Sequence, residues 1–310
     1  MDKNTLLINI LNILILLIAP FIVIGIIKKT KAFWAGRKGV SIWQPLWDFI
    51  RLFKKDQVIS STTSWIFRFS PLVVFATTIF AGLFAPMIGG YSVINIEGAF
   101  VIFSYILGLG KFFALISAMD TGSSFEGMGA SREACFTTIV EPAFFIILAS
   151  VIALTGNYSF KGLSMILASA GGFGILIAFL AVLALFIMLL TECSRVPVDD
   201  PTTHLELTMI HEVMILDNSG QDLAVITWAA GIKMVILEAL IANFIIPANL
   251  GEGLSIGLFL LVIALLAVII GTLESAIARL RMSHVFEFIF AMSSFALIIL
   301  SLAAIKIYGS

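Results

Sequence analysis

The sequence predicts an all-α, polytopic membrane protein with about eight transmembrane helices. Hydrophobic residues make up 60% of the chain and charged residues 12%, against roughly 45–50% and 25% in soluble domains. The mean hydropathy is +1.12. Eight apolar stretches are long enough to cross a hydrocarbon core of about 30 Å, which takes roughly 20 helical residues. They lack the alternating polarity, over about ten residues, that a membrane β-strand shows.

The predicted spans follow one another along the whole chain. The first follows only Lys3, runs longer than the apolar core of a signal peptide and has no small-residue cleavage motif after it, so we expect it to be retained. The fifth lies in a run of thirty uncharged residues from Gly162 to Thr191, whose glycines indicate close helix packing rather than nucleotide binding. Without a repeat of fixed period or a low-complexity tract, residues 1–310 are expected to form one membrane domain. The eight spans are predicted at 5–27, 66–88, 96–119, 135–155, 164–190, 223–247, 253–273 and 284–305.

Positive charge predicts the orientation of the chain. Twelve Lys and Arg residues fall in the connections on one side of the spans and three on the other. The positive-inside rule then places the long connections in the cytoplasm and both termini outside. The cytoplasmic group is Lys28, Lys29, Lys31, Arg37, Lys38, Arg51, Lys54, Lys55, Arg132, Arg195, Arg279 and Arg281, and the outer group is Lys3, Lys161 and Lys306.

The predicted cytoplasmic connections are long and charged, at 28–65, 120–134 and 191–222, whereas the outer ones are short turns. The first of them carries Trp34, Trp43 and Trp47 among basic residues. Tryptophan and lysine together are typical of a segment that lies between headgroups and a protein partner. We expect a helix from about Gln44 to Lys54 along the membrane surface, covered by a soluble partner.

Four charged residues fall inside predicted spans, namely Lys111, Glu141, Lys233 and Glu238. A charge near the bilayer centre costs at least about 2.5 kcal/mol on insertion scales, so such groups usually face a polar interior. Glu141 precedes Pro142, and a proline inside a helix frees a carbonyl and makes room for water. Lys233 and Glu238 lie on different faces of one helix, which predicts pairing with other helices. These residues are candidates for an ion path; structural ion pairs between helices are the alternative.

Charged residues continue in the connections at the cytoplasmic ends of the spans. Asp200 and Pro201 have the pattern of a helix start, and that helix would present Glu206 and Glu212 near the membrane surface. Each of these groups taken alone is equally consistent with a solvated loop. The further ion-path candidates are Glu192, Asp199, Asp200, Glu206 and Glu212, and the candidate structural or interface charges are Arg37, Arg132, Arg195, Glu274 and Arg279.

The sequence indicates no metal, cofactor or catalytic residue in this chain. Cys135 and Cys193 lack the spacing of iron-sulfur or zinc ligands, so both are predicted to be small buried residues. His204 and His211 would share a helix face, but HLELTMIHE is not the H-E-x-x-H zinc motif. Nothing indicates nucleic-acid binding. A self-sufficient secondary transporter would predict inverted repeats and paired broken helices, which the sequence lacks.

Three segments carry a resemblance to a known family. They are PLWDFIRLFKKDQV from Pro45 to Val58, followed by FRFSPLV; GASREACFTTIVEP at 129–142; and ECSRVPVDDP at 192–201. In this order they resemble NADH dehydrogenase subunit 1, the heel subunit of respiratory complex I, and still more its counterparts in group 4 energy-converting [NiFe] hydrogenases. The resemblance spans nearly the whole chain.

The resemblance implies a position where a soluble redox arm joins a membrane arm. The implied partners are hydrogenase-like large and small subunits on the cytoplasmic face, which would hold a nickel-iron centre and iron-sulfur clusters, and antiporter-like membrane subunits. Matched by motif, Glu141 falls on a family glutamate of an E-V-P-like stretch, Glu192 and Arg195 on an E-x-x-R pair, Asp199 on the aspartate of P-F-D, and Arg132 on an A-L-R-A-like arginine.

Two departures favour the hydrogenase branch: R-x-G-P of the quinone-type pattern reads Arg37-Lys38-Gly39-Val40, and P-F-D reads Pro197-Val198-Asp199. The sequence therefore predicts the anchor and coupling subunit of a ferredoxin-linked, hydrogen-evolving complex that pumps H⁺ or Na⁺ across a prokaryotic inner membrane. The alternative is a quinone-contacting subunit of complex I, or of a formate- or sulfur-linked complex. On the hydrogenase reading, the space that a quinone would use should be closed to lipid or filled by Asp199, Asp200, Glu206 and Glu212.

Overall fold

A computed structural model describes residues 3–169, 171–200, 209–247 and 250–308. These residues form eleven α-helices and a 3₁₀ turn at Ile88–Gly90. Eight helices of the described part are long and apolar enough to cross a membrane, namely α1, α3, α4, α5, α7, α9, α10 and α11, so the predicted fold class is confirmed. The helices are α1 (Lys3–Trp34), α2 (Gln44–Phe53), α3 (Trp65–Phe84), α4 (Ala99–Asp120), α5 (Ser124–Thr155), α6 (Lys161–Ser169), α7 (Gly171–Glu192), α8 (His211–Met214), α9 (Gly220–Ile245), α10 (Glu252–Ala276) and α11 (Met282–Tyr308).

Several predicted boundaries are wrong. The segment 120–134 is not a long loop, because α5 begins at Ser124 and runs unbroken through Pro142 to Thr155. The polar first turns of α5 mislead a hydropathy analysis since Glu126 and Gly129 are buried against protein rather than facing water. Over the predicted fifth span the structure describes α6 up to Ser169 and α7 from Gly171, and residue 170 lies outside the described residues. The helix predicted from about Gln44 to Lys54 is confirmed as α2, and its position along the membrane surface stays a prediction.

Helix α9 lies at the centre of the bundle. It packs against α1, α2, α3, α6, α7 and α10, and every residue from Met234 to Phe244 is buried. A helix that is apolar on all sides is expected in the interior. The single carboxylate in this stretch, Glu238, is therefore surrounded by protein.

The outer surface of the bundle is apolar. Large hydrophobic side chains of the peripheral helices are about half exposed or more, which is the surface expected to face lipid rather than water. Examples are Phe69, Tyr105, Phe112, Leu261, Phe290 and Leu297.

The two ends of the bundle differ. We call one end the loop face; it comprises α2, α8 and the segments 121–123, 193–200 and 277–281. Asp120, at the end of α4, accepts hydrogen bonds from the backbone N–H groups of Ser64 (2.7 Å) and Phe67 (3.3 Å) and so caps α3. The segment after α2 is tied to the start of α9, where Gln57 Nε2 donates to Asp222 Oδ1 at 2.8 Å.

Candidate functional site

Side chains from three helices bring charges together where the loop face meets the interior of the bundle. Glu192, the last residue of α7, forms ion pairs with Lys111 of α4 and with Lys233 of α9, the latter at 2.7 Å. The Lys111 ammonium also donates to Thr137 Oγ1 of α5 at 2.9 Å. The side chains of Lys111, Lys233 and Glu192 are only 12%, 17% and 6% exposed. As predicted, Lys233 pairs with a group on another helix.

A small cavity of about 70 Å³ adjoins these ion pairs. Its polar lining is Lys111, Glu133, Glu192, His211 and Lys233, so two carboxylates, two ammonium groups and an imidazole share one space. A cavity of this volume has room for a few water molecules. We call Lys111, Glu133, Glu192 and Lys233 the charged centre.

A larger cavity of about 610 Å³ lies between α1, α2, α9 and the segment 193–195. Phe21, Phe49 and Trp228 line it, and their rings pack against one another at centroid distances of 5.0–5.7 Å. The sequence predicts that the space a quinone would use is closed to lipid or filled by charged groups and water. Of the four acidic residues expected to contribute, Glu212 lines this cavity, Asp199 and Asp200 do not, and Glu206 lies outside the described residues. Closure to lipid stays a prediction.

One end of the large cavity is charged. Glu274 of α10 forms ion pairs with Lys31 of α1 at 2.9 Å and with Arg195 at 3.2 Å. The Glu274 side chain is fully buried. These three groups therefore connect α1, α10 and the segment after α7 where the cavity meets the loop face.

Three residues line both cavities: Cys193, His211 and Ala230. Burial raises the pKa of the Cys193 thiol to about 12, so this cysteine remains a neutral thiol. Burial also lowers the pKa of the His211 imidazole, although the Glu212 and Asp199 carboxylates oppose the shift. The wall between the cavities thus contains one imidazole, the side chain whose ordinary pKa lies nearest to neutral pH, and burial moves its pKa below that ordinary value.

Asp199 fastens the segment that carries His211. Its carboxylate accepts hydrogen bonds from the backbone N–H groups of Ile210 (3.0 Å) and His211 (3.2 Å) and pairs with Arg279 at 3.2 Å. Arg132 of α5 donates to the Met209 carbonyl at 2.9 Å. Asp199 is fully buried, and its contacts are those of a group that positions α8.

A close approach of helices completes this anchorage. A Cβ placed on Gly129 of α5 would lie 2.8 Å from the Ile210 carbonyl oxygen and 2.9 Å from Met214 Cγ. Only glycine leaves room for α8 at this distance. Close packing against α8 therefore explains why the GASREACF stretch begins with a glycine.

Comparison with known proteins decides the family. A family profile described as NADH dehydrogenase matches residues 7–307. The chain belongs to the NADH dehydrogenase subunit 1 family. It is 29% identical over 269 residues to hydrogenase-4 component C of Escherichia coli (strain K12), covering 86% of this chain and 84% of that protein. It is 26% identical over 265 residues to formate hydrogenlyase subunit 4 of the same organism, covering 83% and 85%.

A solved structure shares the fold of the family. It is that of the membrane-bound sulfane sulfur reductase, an archaeal respiratory membrane complex; the TM-score is 0.79 at 21% identity, covering 97% of this chain and 99% of the matched chain. A subunit of the NADH-quinone oxidoreductase of Rubrobacter xylanophilus is 26% identical over 200 residues, 63% of this chain and 59% of its own length. A complex I-like membrane subunit related to hydrogenase components is therefore confirmed.

Within this family member, the remaining sequence candidates do not all meet at the charged centre. Glu141 lies farther along α5, half-buried, with its carboxylate directed at Gly108 of α4. Glu238 is fully buried on α9, and neither carboxylate oxygen has a hydrogen-bond partner among the described residues. Arg37 is exposed in the segment after α1. Asp200 donates its backbone N–H to Asp199 Oδ1, while Glu206 and His204 lie outside the described residues.

The sequence interpretation missed Glu133 and Glu126. Glu133 lines the small cavity, and it precedes Thr137 and Glu141 at the four-residue spacing of one helix face, a signal that the wrongly predicted loop concealed. Glu126 is fully buried near the start of α5 and accepts a hydrogen bond from the Asp217 backbone at 3.1 Å. No group of three potential metal ligands occurs among the described residues; the absence of a cofactor from this chain stays a prediction.

Proposed function

We propose that this chain is the membrane anchor and coupling subunit of a ferredoxin-linked, hydrogen-evolving complex that moves protons or sodium ions. Hydrogenase-like large and small subunits, with a nickel-iron centre and iron-sulfur clusters, sit on the loop face. Antiporter-like subunits lie beside it in the membrane. The membrane is the inner membrane of a prokaryote, with the loop face in the cytoplasm and both termini outside.

The charged centre is the observation that carries this proposal. Burying an ion pair without loss of stability requires good geometry and further hydrogen bonds, and Glu192 has two ammonium partners from two different helices. An extra proton or a movement of either lysine changes the net charge of the small cavity. A redox event at the loop face can therefore be converted into ion movement through such a centre.

The loop face supports the placement of the soluble partners. Trp34, Trp43 and Trp47 are 59%, 47% and 55% exposed, and the surrounding segment is basic. Aromatic side chains of this size are enriched where a protein surface meets a partner. The E. coli relatives named for hydrogenase-4 and formate hydrogenlyase support a hydrogen-evolving partner over an NADH-oxidising one.

A second candidate function is contact with a quinone. The large cavity favours it, because a lipid-like molecule fits a space lined by Phe21, Phe49 and Trp228. The relative from the NADH-quinone oxidoreductase of Rubrobacter xylanophilus supports this reading. The two candidates differ in where the electrons go: to protons at a nickel site or to a quinone in this cavity.

Inverted membrane vesicles that contain the whole complex test the proposal. We expect reduced ferredoxin to drive hydrogen evolution together with ion uptake, and both to be indifferent to added quinone and to quinone-site inhibitors. Glu192→Gln should abolish the ion uptake, since glutamine has no negative charge to compensate the two lysines. Turnover that requires quinone would establish the second candidate, and hydrogen evolution without uptake would remove the coupling role.

A further inference from the structure

Three residues form the wall between the small and large cavities, and they differ in their ability to transfer a proton. Of the three residues that line both spaces, Ala230 is apolar and Cys193 is a thiol whose pKa is about 12. Neither exchanges protons near neutral pH. His211 is the one residue of the wall with an acid–base side chain whose ordinary pKa lies between 5 and 8, and its two nitrogens can bind and release protons on opposite sides of the ring.

The imidazole is also held in place. The Asp199 carboxylate binds the His211 backbone N–H at 3.2 Å and is itself fixed by Arg279, while Arg132 holds the Met209 carbonyl two residues earlier. A proton-transfer group needs such support, since its rate depends on geometry first and on pKa second. The backbone anchors leave the side chain free to titrate.

We propose that His211 is the proton-transfer residue that connects the large cavity at the loop face to the charged centre. This role rests on the proposed function and specifies the proton as the transferred ion at this step.

The charges around His211 suit both the uptake and the release of a proton. On its own helix Glu212 faces the large cavity; across the small cavity lie two carboxylates and two ammonium groups. The Glu212 and Asp199 carboxylates stabilise the protonated His211 ring, whereas the Lys233 ammonium destabilises it. The titratable and charged groups on the helices packed against α8 are Lys111 and Asp120 of α4 and Glu126, Arg132, Glu133 and Glu141 of α5. Those that line the cavities beside His211 or act on its pKa from other elements are Glu192, Arg195, Asp199 and Lys233.

The transfer balances without a further reactant. One ring nitrogen accepts a proton from a hydronium ion in the large cavity, which leaves a water molecule behind. The resulting imidazolium releases the proton of the other nitrogen into the small cavity, where water passes it to Glu133. The ring returns to neutrality, and one proton has moved between the cavities. Rotation of the ring or tautomer exchange restores the starting state.

The test uses the whole complex in inverted vesicles with reduced ferredoxin. His211→Gln keeps the polar contact but cannot carry a proton, so proton uptake should fall on the order of 100-fold, the low end of what a positioned acid–base group contributes. His284→Gln is the matched control, because His284 lies exposed on α11 and its ring pairs with Glu287 on the same helix. Its uptake should equal that of the unsubstituted complex.

Chemical rescue separates proton transfer from packing. His211→Gly should lose uptake and regain it when imidazole, which the large cavity can admit, is added to the vesicles. Pyrazole, a ring of the same size that does not protonate near neutral pH, should restore nothing. A structural role would respond equally to the two rings.

These experiments distinguish failure of the proposed function from failure of the role of His211. If the unsubstituted complex evolves hydrogen without moving ions, the coupling function and the role of His211 fall together. If it takes up protons and His211→Gln does so equally fast, or if pyrazole rescues as well as imidazole, only the role of His211 is overturned. Uptake of sodium alone that survives His211→Gln overturns it as well.

Discussion

Glu192 and Glu238 are both buried carboxyl groups, yet their surroundings are opposite. Glu192 faces two ammonium groups, whereas neither oxygen of Glu238 has a hydrogen-bond partner among the described residues. Removing one member of a buried ion pair costs about 3–5 kcal/mol because the remaining charge is uncompensated. Substitutions of Lys111 or Lys233 therefore affect stability and function together, which makes residues outside the ion pairs better probes of coupling.

Glu141 is such a probe. Glu141→Gln should leave assembly intact while ion uptake per hydrogen evolved falls several-fold, because glutamine keeps the volume and hydrogen bonding of glutamate but cannot ionise. Uptake and hydrogen evolution measured side by side in inverted vesicles give the ratio. Glu97→Gln is the control, since Glu97 is exposed at the end of the bundle opposite the loop face. An unchanged ratio in Glu141→Gln would make this residue structural.

Helix α8 is short, so its position depends on its neighbours rather than on its own hydrogen bonds. Gly129→Ala should displace α8, because the added methyl group would lie 2.8 Å from the Ile210 carbonyl oxygen. We expect faster protease cleavage near residues 209–217 and a loss of ion uptake. Gly127→Ala is the control on the same helix, where an added Cβ meets nothing within 4 Å. Equal protease resistance of the two variants would contradict close packing at Gly129.

The transmembrane elements were predictable from the sequence, because each contains a long apolar stretch. The start of α5 was not: Arg132 and Glu133 suggest a loop until the partners that remove them from water are known, and those partners, such as Met209, lie far away in sequence. For the same reason Lys233 could be assigned a partner on another helix, but its identity as Glu192 could not be predicted. The volume of the large cavity could not be predicted, because it results from the spacing of α1, α2 and α9.

For the molecule as a whole, the charge asymmetry predicts which end faces the cytoplasm and is covered. Tyr308→Cys, whose native side chain is 90% exposed, should react with a membrane-impermeant thiol reagent in right-side-out vesicles. Lys55→Cys, beyond α2, should react only in inverted vesicles, and only after the soluble arm has been stripped away. Labelling is compared with the parent chain, which contains Cys135 and Cys193. The reverse pattern would invert the topology, and labelling of Lys55→Cys without stripping would leave this part of the loop face uncovered.

The ion pairs of Glu192 also bear on how the chain is made. Lys111 is separated from Glu192 by 81 residues of sequence, and Lys233 is synthesised later still, so each charge enters the membrane before its last partner exists. An unpaired charge at the centre of a helix, where Lys111 lies in α4, costs about 2.5–3.5 kcal/mol during insertion by the translocon. We therefore expect α4 to remain beside the translocon until α7 supplies Glu192. The ion pairs of Glu192 would then also set the order in which these helices enter the lipid.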